Sequence, residues 1–498
     1  MLSLEIENKK EIRTHYSGIV IFAAQLITVV TGMTFTLIVA RTLSQDQYGA
    51  FGKINILVPY FTLLAPAVPF WVMRFILRNK EGAVKTGIAA NMTVAFMVLV
   101  IYLGLAPIIM PVFGFGASAT LYALIGLQLA EAYLLSVLEA CLQAREPQLI
   151  GYGLLIGEIT KLFFAYVFII GAGWLLTGVL LSFVAAFMVK IIFYVGMLRE
   201  AFGERAHFGY IKEWIKGSFF NIYGMIGERM AAILFLMVAL FGGNLAVSYY
   251  QAALPIATII TYSSFLAFAL YPKILSENKP EATTASLKLV LMFAFPMTAG
   301  LLVLPAAYLR LLQGEVYVPA EQILRILAID SLILTLSGVF MAVLFGVEIP
   351  DENGVSLKKL VASKTFLVFS LPYINSLVTL PVAFYILTNF TGGNQLLITT
   401  DVVIISTIAH FITMLFAGFM VKHATKIVFP LESIGKYVLA SIIMALVLQY
   451  VIPSPTRLIS TLAVTTVATL LYFVILIILD KELRSLLASL PRKLHSLF

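Results

Sequence analysis

A chain of 498 residues in which 61% are apolar and only 12% charged cannot cover a soluble surface of that size. Its mean hydropathy of +1.00 comes from apolar runs of roughly 20 residues that recur from end to end, which excludes a soluble enzyme or regulator. The net charge of +8 does not indicate nucleic acid. The lysines and arginines crowd the loops of one side, where they set membrane topology.

Backbone groups in lipid must be satisfied within their own segment, so each run reads as a helix, and the alternating pattern of a lipid-facing barrel is absent. The expected fold is an all-α polytopic membrane protein of about fourteen spans. They fall near 17–40, 50–73, 87–111, 118–142, 149–171, 174–197, 214–241, 246–271, 285–309, 319–346, 361–389, 396–421, 431–452 and 457–479. The linkers are too short for a soluble domain. Basic residues cluster before span 1 (Lys9, Lys10, Arg13), after span 2 (Arg74, Arg78, Lys80, Lys85) and around 199–216, 273–288, 358–364 and 422–436. The opposite loops hold only Arg41, Lys53, Arg310 and Arg457. This alternation places both termini in the cytoplasm of a multi-pass plasma-membrane protein. Trp174 and Trp214 fall at span ends, as interfacial anchors do. The polar start runs into a full span with no small-residue cleavage site, so no signal peptide is expected. Cys141 is the single cysteine, which excludes an intramolecular disulfide.

The chain also echoes itself. A shift of 199 positions lays Val39-Ala40 on Val238-Ala239, Phe51 on Tyr250, Arg74 on Lys273, and Asn79-Lys80 on Asn278-Lys279. Span 1 then matches span 7, and span 2 matches span 8. Six spans separate the copies, so the repeat is parallel, with its axis along the membrane normal. The expected division is a six-helix lobe over 1–200, a second over 201–428, and an appended hairpin with its tail over 429–498.

Three stretches carry a family likeness. Ala40-Arg41-Thr42-Leu43-Ser44-Gln45-Asp46-Gln47-Tyr48-Gly49-Ala50-Phe51 resembles the A-R-x-L-G-x-x-x-Y-G-x-F signature of polysaccharide flippases in the multidrug/oligosaccharidyl-lipid/polysaccharide exporter superfamily, with Ser44 where that family has glycine. Phe241 to Ala252 is similar to that family's segment after span 7, and Leu312 to Ala320 to its segment before span 10. The resemblance implies two six-helix lobes around a central cavity. It also implies movement of polyprenyl- or dolichyl-linked oligosaccharides from the cytoplasmic to the outer leaflet. The implied partners are that lipid, the surrounding membrane, and a glycan polymerase or ligase.

A charge in mid-membrane costs about 2.5–3.5 kcal/mol on insertion scales, so each one calls for a reason. Span 4 carries Gln128, Glu131, Glu139 and Gln143, which fall within one stripe at 3.6 residues per turn. Span 5 carries Glu158 and Lys161, one turn apart. Two readings stand: a hydrated cavity wall with a proton or cation site, or a structural Glu–Lys network between spans 4 and 5. In span 7, Asn221 and Glu228 share a face, while Arg229 points about 100° away from Glu228. Arg229 is either a bidentate phosphate contact or the partner of a carboxylate on a neighbouring helix. Arg325 stands one turn from Glu321 and should pair with it; Asp330 lies on another face, and His410 is a lone imidazole in span 12. A hydrogen-bonded interior histidine is the expected reading there, against a proton relay. Arg74 and Lys273, matched by the repeat, form either snorkelling anchors or a cytoplasmic phosphate-catching pair.

The candidate substrate-binding residues are therefore Arg229, Lys161, Asn221, Arg74 and Lys273. The candidates for ion coupling or cavity lining are Glu131, Glu139, Glu158, Glu228 and Asp330. No P-loop, metal-ligand cluster or nucleophile arrangement is present in the sequence, so neither an enzyme nor a cofactor is expected. A multidrug exporter of the same superfamily remains open, and would show a cavity richer in acids and aromatics than in arginine. A membrane glycosyltransferase or ligase would need a larger outer loop than any available here.

Overall fold

The computed structural model describes residues 2–115, 118–264, 280–348, 364–424, 429–451, 455, 457–481 and 483–484, all helix and connecting turns with no strand among them. The helices are α1 (Leu2–Thr42), α2 (Gln45–Phe61), α3 (Ala67–Leu77), α4 (Ala83–Val112), α5 (Ala119–Arg145), α6 (Gln148–Ala165), α7 (Leu175–Met197) and α8 (Gly209–Ala257). They continue as α9 (Pro280–Val303), α10 (Pro305–Leu312), α11 (Glu321–Glu348), α12 (Lys364–Asn389), α13 (Gln395–Ala424), α14 (Leu431–Tyr450) and α15 (Leu458–Leu479).

Among the described residues, 12 helical segments are long and apolar enough to cross a membrane. One of them, Asn221–Ser264, has 44 residues, which at about 1.5 Å each is twice the roughly 30 Å hydrocarbon thickness. It bends at Gly243, where φ of 68° and ψ of −160° suit only glycine, and so makes two crossings. Counting the bent segment twice and the α2–α3 pair as one span gives fourteen among the described residues, the number expected from sequence.

That α2–α3 crossing corrects the sequence reading, which took 50–73 as a single helix. The chain leaves the helix over residues 62–66, where Pro66 can neither donate an amide hydrogen nor follow a helical residue without crowding it. A break inside a membrane frees carbonyls that must find partners. Tyr133 donates its hydroxyl to the Phe61 carbonyl at 2.9 Å. Ser136 and Asn91 donate to the Ala65 carbonyl at 3.1 and 3.3 Å. Asn91 also donates to the Tyr133 carbonyl at 2.7 Å, locking α4 to α5 beside the break.

By packing, the chain forms two compact units. The first comprises Met1–Gln251 with Phe369–Val402, and the second Ala252–Val368 with Val403–Phe498. In the first unit α6 packs against α1 and α7, and α5 against α3, α4 and α7. The two signature stretches meet here. Ser44 caps α2, its hydroxyl and the Gln47 side chain exchanging backbone hydrogen bonds. Its φ of −65° is open to any residue, which explains why serine can stand where the family has glycine. Asn244 donates its amide to Asp46 at 2.7 Å, and Tyr48 donates its hydroxyl to the Gln251 carbonyl at 3.2 Å. Gly49 lies so close to the Asn244 backbone that a methyl group there would overlap its carbonyl. The junctions of spans 1–2 and 7–8 thus pack on each other.

Two further expectations are corrected. Lys53, read as an outer-loop residue, is buried within α2 and donates to the Phe113 carbonyl at 2.9 Å. The C-terminal carbonyls of α4 give it the partner that lipid would not. Trp214, read as an interfacial anchor, is 1% exposed and packs edge-on to Phe75 at 5.5 Å between ring centres. Its indole fills the base of the cluster formed by Val72, Leu138, Leu142 and Tyr194. Trp174 is 51% exposed, as a lipid-facing anchor would be.

In the second unit α9 packs against α11 and α14. The C-terminal hairpin α14–α15 is built into this unit. Tyr472 donates its hydroxyl to the Met292 carbonyl at 2.7 Å, and the Tyr308 and Thr465 hydroxyls share a hydrogen bond of 3.0 Å. Leu287, Leu291, Tyr437, Met444 and Leu476 form the surrounding core.

Gly49→Ala is expected to destabilise the protein by about 1–3 kcal/mol, because the obstructing group is backbone and cannot rotate away. Gly32→Ala, whose added methyl meets nothing within 4 Å, should be neutral or slightly stabilising. Thermal unfolding of the two purified variants in detergent checks both.

Candidate functional site

The first unit holds an open cavity of about 400 Å³. Three helices line it with the same spacing of i, i+3, i+4 and i+7, the period of a single helical face. The α3 stretch contributes Pro66, Pro69, Phe70 and Met73; α5 contributes Ser136, Glu139, Ala140 and Gln143; α8 contributes Asn221, Gly224, Met225 and Glu228. Phe369 of α12 closes the set. Its approach is permitted by glycines on α8: a Cβ at Gly224 would come within 2.7 Å of the Phe369 ring, and one at Gly227 within 2.7 Å of Tyr373. Tyr373 stacks on Tyr223 at 4.6 Å and donates to the Tyr223 carbonyl at 2.6 Å, fixing α12 against α8.

Among the described residues the lining is acidic and aromatic, with no arginine or lysine. Glu139 is balanced by Lys190 of α7, with Nζ 2.5 Å from Oε1. Glu228 makes no ion pair among the described residues. Arg229, one residue on, is not part of the lining. Arg74 likewise follows the lining residue Met73. Its guanidinium carbon lies 3.6 Å from the centre of the Phe70 ring, a cation–π contact that places a positive charge behind that wall.

The remaining candidates lie elsewhere. The expected single stripe on span 4 is divided: Glu139 and Gln143 face the cavity, whereas Glu131 is 4% exposed and absent from the lining. Neither Glu131 carboxylate oxygen has a hydrogen-bond partner among the described residues. Glu158 and Lys161 pair within α6 at 2.6 Å, and Thr31 of α1 donates to Glu158 at 2.8 Å. Lys161 also sits 5.2 Å from the Phe35 ring centre and 5.6 Å from that of Phe183, away from the cavity. The carboxylate–lysine link between helices therefore joins spans 4 and 6, instead of spans 4 and 5. In the second unit Arg325 reaches Glu321 at 3.5 Å and donates to the Leu302 carbonyl at 3.1 Å. Asp330, with a side chain 8% exposed, finds His410 of α13 at 2.7 Å, so the two unexplained groups of spans 10 and 12 account for each other. Lys273 lies outside the described residues. No group of three or more histidine, cysteine, aspartate or glutamate side chains lies together among the described residues.

Sequence reading missed Lys190, Phe70 and Phe369. Lys190 was detectable as a lone cation inside the apolar run of span 6, which by the insertion cost alone demands a buried acid nearby. The two phenylalanines were not detectable, because nothing in the sequence separates a cavity-facing ring from a lipid-facing one.

No protein-family model and no curated protein matches the sequence. Solved structures do match. A lipid II flippase, MurJ, in an inward closed conformation aligns with a TM-score of 0.70 at 15% identity, over 93% of this chain and 99% of that one. A multidrug resistance MATE family transporter of the MOP superfamily, inward-facing, gives 0.58 at 14% identity, over 82% of this chain and 99% of that one. An outward-facing transporter of the same description gives 0.53 at 12% identity, over 82% and 95%. The chain has the fold of these membrane transporters.

The Glu139–Lys190 pair yields a direct test. Lys190→Met should cost about 1–3 kcal/mol by leaving a half-buried carboxylate uncompensated, and Glu139→Gln in the same chain should restore most of it. Unfolding of the two single variants and the double variant measures the coupling.

Proposed function

We propose that this protein is a flippase for lipid-linked oligosaccharides, moving polyprenyl- or dolichyl-(di)phosphate sugars from the cytoplasmic to the outer leaflet by alternating access. The observation that carries the reading is the extent of the fold match: 93% of the chain, at a TM-score of 0.70, aligns with a protein described as a lipid II flippase. The twelve-helix plan expected of multidrug exporters would leave α14 and α15 over. The cavity in the first unit would receive part of the headgroup, with Asn221 and Gln143 as its neutral hydrogen-bonding groups. Arg229 and Arg74, each one residue beyond a lining side chain, are assigned to the phosphate at the cavity's margin. The polyprenyl tail would stay in lipid. An anionic headgroup leaving an inside-negative cell gains about 2.3 kcal/mol per elementary charge per 100 mV, so potential alone can supply direction. Glu131, buried and without a hydrogen-bond partner, is the group we assign to ion coupling if the cycle uses it. We place the protein in the plasma membrane with cytoplasmic termini. It would deliver its cargo to a glycan polymerase or ligase on the outer side.

A second reading has one observation in its favour. A cavity lined by Glu139, Glu228, Phe70 and Phe369, with no basic side chain among its described residues, is what a cation exporter of this fold would show.

Depletion of the protein should trap lipid-linked glycan in the cytoplasmic leaflet, with wild type restoring its outward movement. Arg229→Ala should restore it about 10–100-fold less well, the loss of one hydrogen-bonded charge contact to phosphate. Leaflet-resolved labelling of the lipid-linked pool measures this. An unchanged distribution, together with new sensitivity to cationic drugs, would move the assignment to the exporter.

A further inference from the structure

Taking the flippase reading as its basis, the inference concerns what part of the headgroup the cavity accepts. We propose that the cavity formed by α3, α5, α8 and α12 is a site for a positively charged, hydroxyl-bearing group, a hexosamine with a free ammonium, and that the phosphate is held outside it. Among the described residues the lining carries two carboxylates and no cation. Lys190 approaches Glu139 from α7 at 2.5 Å and neutralises it. Glu228 has no such partner among the described residues, so the wall keeps one uncompensated negative charge. A phosphate entering there would meet like charge, which disfavours it. An ammonium would meet the one group left unbalanced.

The remaining polar groups fit the same ligand. The Asn221 side-chain nitrogen is buried with no hydrogen-bond partner among the described residues, a donor waiting for a hydroxyl or ring oxygen. Gln143 and Ser136 offer both donors and acceptors within the same wall. Phe70 and Phe369 supply apolar surface for the C–H face of a sugar ring. A volume of about 400 Å³ is in the range of small-ligand sites, enough for one or two sugar rings. Arg74 and Arg229 each follow a lining residue, Met73 and Glu228, and are the groups we assign to a phosphate that stays at the margin. The acidic cavity and the anionic cargo are then compatible, because each charge of a lipid-linked amino sugar meets its opposite.

The same ammonium chemistry could arrive on a lipid-linked hexosamine or on a soluble organic cation, and the test separates them. The full-length protein is reconstituted in phosphatidylcholine vesicles with polyprenyl diphosphate glucosamine or its N-acetylated counterpart. Transfer is read by access of the sugar diol to membrane-impermeant periodate, with tetraphenylphosphonium uptake measured in parallel. The free-amine lipid should cross at least 10-fold faster than the acetylated one. Glu228→Gln should bring that ratio close to one, while Glu228→Asp, which keeps the charge, should preserve it and shows that the site still folds. Equal rates for the two lipids in the wild type would overturn the inference and leave the flippase reading standing. Uptake of tetraphenylphosphonium that Glu228→Gln abolishes, with neither lipid moving, would keep a cation site and overturn the flippase reading. If neither lipid nor cation moves, both fall.

Discussion

The interruption of the second crossing at residues 62–66 is the constraint from which the first unit takes its form. A membrane offers no water to carbonyls freed by a helix break, so the protein must provide donors itself. Tyr133, Ser136 and Asn91 do so. In doing so they fix α4 and α5 against the break. The consequence reaches the site directly: Ser136 binds the Ala65 carbonyl and also begins the α5 stripe that lines the cavity, while the realigned α3 presents Pro69, Phe70 and Met73 to the same space. A continuous helix over 50–73 would have kept its backbone satisfied and would have left α3 on the line of α2.

The second organising element is the contact between the junctions of spans 1–2 and 7–8. Asp46 and Asn244, Tyr48 and Gln251, and the close approach at Gly49 bring the start of α2 against the bend at Gly243. Signature residues that look unrelated in sequence are explained by this one contact. Tyr48 supplies the donor for a backbone carbonyl at the end of the facing segment. Gly49 supplies the absence of a side chain where two backbones meet. The bend itself demands a residue that tolerates positive φ, which Gly243 provides.

Charges within the spans sort into two classes, and the division has functional content. Glu139 with Lys190 and Glu158 with Lys161 are matched pairs whose members reduce each other's insertion cost, and Asp330 is hydrogen-bonded to His410. Lys53, bound to the carbonyl of Phe113, is matched by the end of a helix instead of by an acid. Glu131 and Glu228 make no ion pair among the described residues. The first is buried without a hydrogen-bond partner and the second opens on the cavity. Structural pairing accounts for most of the intramembrane charge, and what it leaves over marks the places where a mobile cation, a proton or a substrate group can interact.

Composition and hydropathy settled from sequence alone that this is an all-helical membrane protein, because an apolar run of spanning length has no other stable state in lipid. The count of crossings and the importance of the stretches at 40–51 and 241–252 were equally legible, since length and local turn chemistry are written residue by residue. Pairing within one helix was legible too: Glu158–Lys161 and Glu321–Arg325 follow from spacing. Pairing between helices was not. That Glu139 meets Lys190, that Asp330 meets His410, and that Trp214 and Lys53 are interior depends on how helices rotate and cross, which side-chain packing decides. The cavity belongs to the same class. Its three lining stripes exist in the sequence as i, i+3, i+4, i+7 patterns, but many such patterns exist in an apolar helix, and only the tertiary structure turns three of them toward one space.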